Sequence, residues 1–203
     1  MSFKRTDKYI DLVESTPIKD NIVQKAAMLL KENYGVSKGV TINLSKSIPD
    51  QKGLGGGSSN AASTLLCLNK LWDLDLTQLE LQSLALQLGS DVPFFIYGKT
   101  AWAEGRGELL SNFQYKERFF ILIFPDEKIN TKEAFNNFKI KDDVQLNKEN
   151  FHDDLSFNSF EKWARNKYSN INSLFRKFES IGKPRLSGTG STIFIEFDSE
   201  IRL

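Results

Sequence analysis

The residues most able to do chemistry lie in "KGLGGGSSNAAS", residues 52–63, where glycines at 53, 55, 56 and 57 and serines at 58 and 59 stand directly before a helix-forming run. Glycines in this arrangement let the backbone enter positive φ and leave no side chains in the way, so that successive N–H groups converge on an anion. A helix starting at the same point adds its unpaired first-turn donors and the positive end of its dipole. The serine hydroxyls fall where a phosphate oxygen or its metal would lie. The competing reading is a flexible loop with a serine helix cap. A second glycine- and serine-rich turn, Ser187-Gly188-Thr189-Gly190-Ser191, leads into the apolar run "TIFIEF". Two such turns in one chain point to a polyphosphate ligand; alone, the second also reads as a plain tight turn. Between them Asp91, just before Pro93, is an acid able to take a proton from a substrate hydroxyl, or equally a turn or cap residue.

Several alternatives fail on spacing. The Gly-Lys pairs at 98 and 182 are followed by Thr100 and Pro184, and the first lacks a glycine at 93, so no Walker A loop is present. A dinucleotide fingerprint beginning at Gly53 and Gly55 meets Ser58 at its third glycine. A serine hydrolase would need a partner histidine, and His152, in a polar stretch far off, is the only one. One histidine and one cysteine, Cys67, exclude both a disulfide framework and the usual zinc ligand sets.

The elements that must carry these residues mix helices and strands without a strict alternation, and the fold class is α+β. "DNIVQKAAMLLKEN" reads as an amphipathic helix capped by Asp20, and "GVTINL" as a strand delivering the chain to the glycine turn. "AASTLLCLNKLW" continues as a helix. Thr77 and Glu80 stand at capping-box spacing for another, which Gly89 should end as a left-handed C-cap. "PFFIYG" and "TAWAEG" read as two short strands about Gly98, "FFILIF" and "TIFIEF" as further strands, and "FEKWARNKY" and "INSLFRKFESI" as helices. The stretch from 139 to 160 is polar and irregular. A boundary near residue 115 divides the chain into domains 1–115 and 116–203.

The formal net charge of +1 over 203 residues excludes the broad basic field of a nucleic-acid binder. No apolar run approaches the roughly 18 residues of a membrane span, and the charged N-terminus is unlike a secretory signal. A soluble, cytoplasmic protein is expected, with no nucleic acid or membrane partner.

Taken in order, "IPDQKGLGGGSSNAAS", "LGSDVPFFIYGKTAWAEGRGE" and "RLSGTGSTIFIEF" resemble the GHMP small-molecule kinases, and among them those acting on 4-diphosphocytidyl-2-C-methyl-D-erythritol in non-mevalonate isoprenoid precursor synthesis. The resemblance runs from about Asp20 to the end of the chain. It implies a two-domain GHMP-type architecture, with an ATP-binding N-terminal domain and an α+β C-terminal domain. It also implies transfer of the ATP γ-phosphoryl group to the 2-hydroxyl of the methylerythritol moiety, with Mg²⁺ balancing phosphate charge; no metal-ligating residues are assigned. By the same resemblance Gly53, Leu54, Gly55, Gly56, Gly57, Ser58 and Ser59 wrap the ATP phosphates, Asn21 meets the adenosine end, and Asp91 is the catalytic base. Gly188, Thr189 and Gly190 fall near phosphates and substrate, and Thr131 and Phe135 fall at the cytidine, Phe135 by stacking; the competing reading of Phe135 is an ordinary core residue. "FHDDL", with Asp153 in place of the family's asparagine, reads as structural.

The chain also departs from the family pattern. The opening strand whose lysine pairs with the catalytic aspartate, and a Gly-Tyr-His segment, are not recognisable in residues 1–19, so the family's N-terminal strands are expected to be missing, and the C-terminal end to be short as well. Gln51 and Lys52 replace a Gly-Ala pair; Lys52 either lends charge to the phosphates or is a solvated lysine at a loop edge. Three functions therefore stand open: the kinase, a truncated and catalytically inactive nucleotide-binding relative, and a dinucleotide-dependent oxidoreductase. The expected association state is a monomer or weak homodimer.

Overall fold

In the computed structural model the residues described are 1–14, 17–137, 148–149, 151 and 158–200. They form two compact units, the first made of Met1–Ile48 and Gly55–Gln114 and the second of Pro49–Leu54 and Tyr115–Leu203. The polypeptide thus passes through the glycine-rich turn as it leaves one unit and enters the other.

The first unit opens with strands β1 (Ser2–Thr6) and β2 (Ile10–Glu14), so residues 1–19, in which no family strand was recognisable, do contribute two strands. Both pair with β3 (Gly39–Leu44), which lies between them, antiparallel to β1 and parallel to β2. Helix α1 (Ile22–Asn33) connects β2 to β3, and its Val23, Ala26, Ala27 and Leu30 are buried at the 3.6-residue period that the sequence displays. Its N-cap is Asn21, not Asp20: the Asn21 side chain accepts from the Val23 amide at 3.0 Å, whereas Asp20 lies outside the helix at φ 55°.

Helix α2 (Gly56–Leu71) packs on α1 and buries Ala61, Ala62, Leu65 and Leu68. Trp72, at its C-terminal end, is buried and donates from Nε1 to the Gly39 carbonyl at 3.3 Å, tying the helix to β3. Helix α3 (Gln78–Ala85) starts with the complete Thr77–Glu80 capping box. It does not end on a left-handed Gly89; Leu86 caps it in the right-handed helical region, and the Gly89 amide donates back to Ala85 O.

The clearest departure is at "VPFFIY", which is helix α4 (Val92–Tyr97) rather than a strand. Pro93 falls in the first turn, where its missing N–H has no intrahelical acceptor to lose and its fixed φ suits the helix. Gly98 then closes α4 in the left-handed region at φ 68°, with its amide on Phe94 O. Helix α4 packs against α2 and α3, and an antiparallel hairpin of β4 (Ala101–Glu104) and β5 (Leu109–Asn112) follows.

The second unit is built on an antiparallel sheet in which β8 (Ile193–Phe197) lies between β6 (Phe119–Ile123) and β7 (Arg185–Leu186). Helices α5 (Thr131–Asn137), α6 (Glu161–Lys167) and α7 (Ser169–Phe178) accompany it. Its core joins Ile129, Ala134, Ala164, Ile171, Phe175, Leu186 and Ile193. Most of the polar stretch 139–160, including His152 and Asp153, lies outside the described residues. No helix among those described is long and apolar enough to cross a membrane.

Candidate phosphate-binding and catalytic site

Gly55 occupies the N-cap of α2 at φ 64°, and no side chain caps the helix. The first amide with an intrahelical acceptor is that of Ser59, which donates to Gly55 O at 2.8 Å. The amides of Gly56, Gly57 and Ser58 therefore precede the hydrogen-bond ladder and carry the positive end of the helix dipole. The absence of side chains here is a packing requirement. A Cβ on Gly55 would come 2.6 Å from Cζ of Phe95, and one on Gly56 would come 3.2 Å from Cγ2 of Ile48.

Phe95 belongs to α4, and the same helix is headed by Asp91. Asp91 is exposed, its side chain makes no cap bond, and it has no hydrogen bond or ion pair among the described residues. A carboxylate free of internal partners is available to accept a proton. Asn21 is placed differently. It is buried, its Oδ1 caps α1, and its Nδ2 donates to Glu14 Oε2 at 2.6 Å, while Glu14 Oε1 accepts from the Ile18 amide at 2.7 Å. Its side chain thereby fixes the start of α1, and Cγ2 of Ile22 there lies 4.0 Å from a Cβ built on Gly57.

In the second unit Gly53 is pressed against the late glycine turn. At φ 69°, a Cβ on it would sit 2.1 Å from Ser187 O, and its own carbonyl accepts from Ser187 Oγ at 2.8 Å. The turn itself is closed by Gly190 N on Ser187 O at 2.8 Å and by Ser187 N on Thr192 O at 2.9 Å. Asn158 Nδ2 supports it from below, donating to Leu186 O and Gly188 O at 2.8 and 2.7 Å.

Thr189 on this turn meets Thr131 at the start of α5, the two hydroxyls 3.3 Å apart. Phe135 lies one turn further along α5 on the same face. It is no core residue: it is 60% exposed and rests edge-on against Phe160, with ring centroids 4.9 Å apart. Thr131 is thus joined to the turn that carries Gly188, Thr189 and Gly190, and the exposed ring of Phe135 stands one helical turn along α5 from it.

Lys52 fits neither sequence expectation. It is 7% exposed, and its Nζ donates to Pro125 O, to Glu127 O at 2.8 Å and to Ser191 Oγ at 3.3 Å. Burial lowers its pKa below the ordinary lysine value, opposed by the nearby charges of Asp126 and Glu127. It is therefore neither a solvated side chain nor a free charge for phosphates. Phe95 and Asn158 are not legible as site residues, because their contacts are with residues distant in sequence; Ser191 is legible as part of the late glycine turn but not as a partner of Lys52.

The free first-turn amides of α2 suit phosphate oxygens. Among the described residues no group of three or more His, Cys, Asp or Glu converges.

Residues 21–99 match the model of the GHMP kinases N terminal domain. The chain is 40% identical over 199 residues to the 4-diphosphocytidyl-2-C-methyl-D-erythritol kinase of Paraburkholderia xenovorans, covering 93% of this chain and 68% of that protein. It is 42% identical over 201 residues to the protein of the same name in Wigglesworthia glossinidia brevipalpis, covering 96% of this chain and 66% of that one. A crystal structure of 4-(cytidine 5'-diphospho)-2C-methyl-D-erythritol kinase superposes with a TM-score of 0.78 at 30% identity, over 95% of this chain and 75% of that one. With this identity sustained over two thirds of a relative's length, and with the fold in agreement, the chain belongs to the GHMP kinase family.

Proposed function

We propose that the chain transfers the γ-phosphoryl group of ATP to the 2-hydroxyl of 4-diphosphocytidyl-2-C-methyl-D-erythritol, as a cytoplasmic step of non-mevalonate isoprenoid precursor synthesis. The observation that carries the reading is the arrangement at the head of α2: three amides without helical partners, on a helix whose N-cap glycine packs against Phe95 of the helix that Asp91 begins. The names of the relatives supply the acceptor.

In this reaction the amides of Gly56, Gly57 and Ser58, with the hydroxyls of Ser58 and Ser59, hold phosphate oxygens and stabilise charge as it moves off the leaving group. Gly53 and Leu54 complete the turn through backbone groups. Mg²⁺ bound with the nucleotide would supply neutralisation of phosphate charge. Asp91 removes the proton of the acceptor hydroxyl. Phe135 offers its open face to the cytosine ring, and Thr131, Thr189 and the backbone of Gly188 and Gly190 bind polar groups of the same substrate. Asn21 acts at the adenosine end through the α1 start that it fixes.

The test is to incubate the purified chain with MgATP and the acceptor and to follow products by phosphorus NMR. A new monoester phosphorus coupled to the methylerythritol skeleton supports the reading. ATP binding with no transfer supports the inactive nucleotide-binding alternative instead.

A further inference from the structure

Lys52 is a buried cation whose ammonium is satisfied by two main-chain carbonyls and a hydroxyl, with no carboxylate among its hydrogen-bond acceptors. An ammonium carries three N–H donors and no acceptor, and here all three donors have a partner. Those partners belong to two segments: Pro125 and Glu127, in the stretch between β6 and α5, and Ser191, in the turn before β8.

Further bonds tie the same segments together. Ser191 Oγ, while accepting from Lys52, donates to Glu127 O at 2.5 Å, and the Lys52 carbonyl accepts from Thr192 N at 3.2 Å. The proton and one acceptor site of the Ser191 hydroxyl, and both ends of residue 52, are thus committed to one junction. On one side of it lies Gly53 with its backbone against Ser187; on the other lies the path through Ile129 to Thr131 and its contact with Thr189.

We propose that Lys52 is a positioning residue for phosphoryl transfer: its buried ammonium clamps the Pro49–Leu54 limb of the glycine turn to the segment after β6 and to the Ser187–Thr192 turn, holding phosphate-binding backbone and acceptor-binding side chains in one frame. The assignment rests on the kinase reading. It differs from direct phosphate contact, because the ammonium has no donor left to give, and from a generic stabilising contact, because the ties join the limb that carries Gly53 and Leu54 to the turn that carries Gly188, Thr189 and Gly190 and to the stretch that leads into Thr131. Loss of the clamp should misalign reactants more than it weakens their binding, since small displacements of positioned groups act mainly on the transfer step.

The test pairs Lys52→Met, which keeps an unbranched stem one atom shorter and removes the ammonium, with the milder Ser191→Ala, which leaves the ammonium its two carbonyls. Two readouts are taken on folded protein. In steady-state kinetics, Lys52→Met should lower kcat by about tenfold or more while each KM changes by less than about threefold, with Ser191→Ala shifting the same way by less. In native amide exchange, the amides of Thr192 and Gly190 and those of residues 53 and 54 should accelerate together, with β6 and β8 unchanged.

Wild-type kcat and KM in both variants, or acceleration spread evenly over the second unit, overturns the proposal. If Lys52→Met does not fold, Ser191→Ala decides by the same two readouts. If the wild-type chain turns nothing over, the kinase reading fails, and the exchange pattern alone decides whether the clamp exists.

Discussion

The ring of Phe95 fills the space that a side chain on Gly55 would occupy: a Cβ built there falls 2.6 Å from Cζ and 2.8 Å from Cε2. The contact lies where the helix that presents free amides packs against the helix that begins with Asp91. Gly55→Ala should therefore be harmful in two separable ways. The left-handed backbone at φ 64° costs an L-residue about 1–2 kcal/mol, and the clash with the ring adds to it. In Gly55→Ala with Phe95→Ala the clash is relieved and the backbone strain stays. Denaturant unfolding of the two single variants and the double variant should show a non-additive recovery; strict additivity would mean that the ring does not set this limit.

Phe135 should matter to substrate and little to stability. Its ring is exposed and touches Phe160 edge-on, so Phe135→Ala leaves no cavity in the core. Loss of base stacking should weaken binding of the cytidine-containing acceptor by about 1–3 kcal/mol, with ATP affinity unchanged. Titration of each ligand separately, beside a melting curve, checks this. A large fall in melting temperature with unaltered acceptor affinity would return Phe135 to a structural role.

Much of this arrangement is legible in the sequence where a local pattern and the tertiary demand agree. The burial of α1 and α2 follows their apolar spacing, and the capping box at Thr77 and Glu80 forms as its residue types require. Failures arise where one residue has two consistent readings. Pro93 marks a break in most settings and a first helical turn in this one, so α4 reads as a strand until its neighbours are known. Strands β1 and β2 are short and largely exposed; in β2 the inward positions are Ile10, Leu12 and Glu14, and a glutamate facing inward hides the alternation. Lys52 reads as solvated because its acceptors at Pro125, Glu127 and Ser191 come from far along the chain.

The capping box makes a signed prediction about acid. The hydrogen bonds from the Thr77 hydroxyl and backbone amide lower the Glu80 pKa below its ordinary value. The folded state thus holds its proton less tightly than the unfolded state. The contribution is present above the unfolded value near 4.5 and is lost as pH falls through the lower folded value. Thr77→Ala should cost about 1 kcal/mol at neutral pH, and the gap from wild type should narrow in acid. Unfolding free energies at a series of pH values measure it; a gap independent of pH would show that Glu80 does not take part.

The opposite end of the pH scale tests Lys52, around which Asp126, Glu127 and Lys128 are the charged neighbours. Because burial lowers its folded pKa below 10.5, the unfolded chain binds more protons in the window just under that value. The stability of wild type relative to Lys52→Met should therefore rise with pH through this window. Turnover should move the other way, since a neutral amine holds the carbonyls less firmly. Lysine-selective NMR gives the titration directly, and an ordinary value near 10.5 would contradict the burial argument.

Asp91, at the head of the helix whose Phe95 meets Gly55, is tested as the catalytic base most directly by acceptor-dependent ADP release with MgATP by the wild-type chain and by Asp91→Asn. The substitution keeps the exposed position and size and removes the proton acceptor, so the fold and ATP affinity should be preserved while kcat falls by about 10²-fold or more. Asp91→Asn protein that is folded, binds ATP and releases ADP at the wild-type rate would contradict the account.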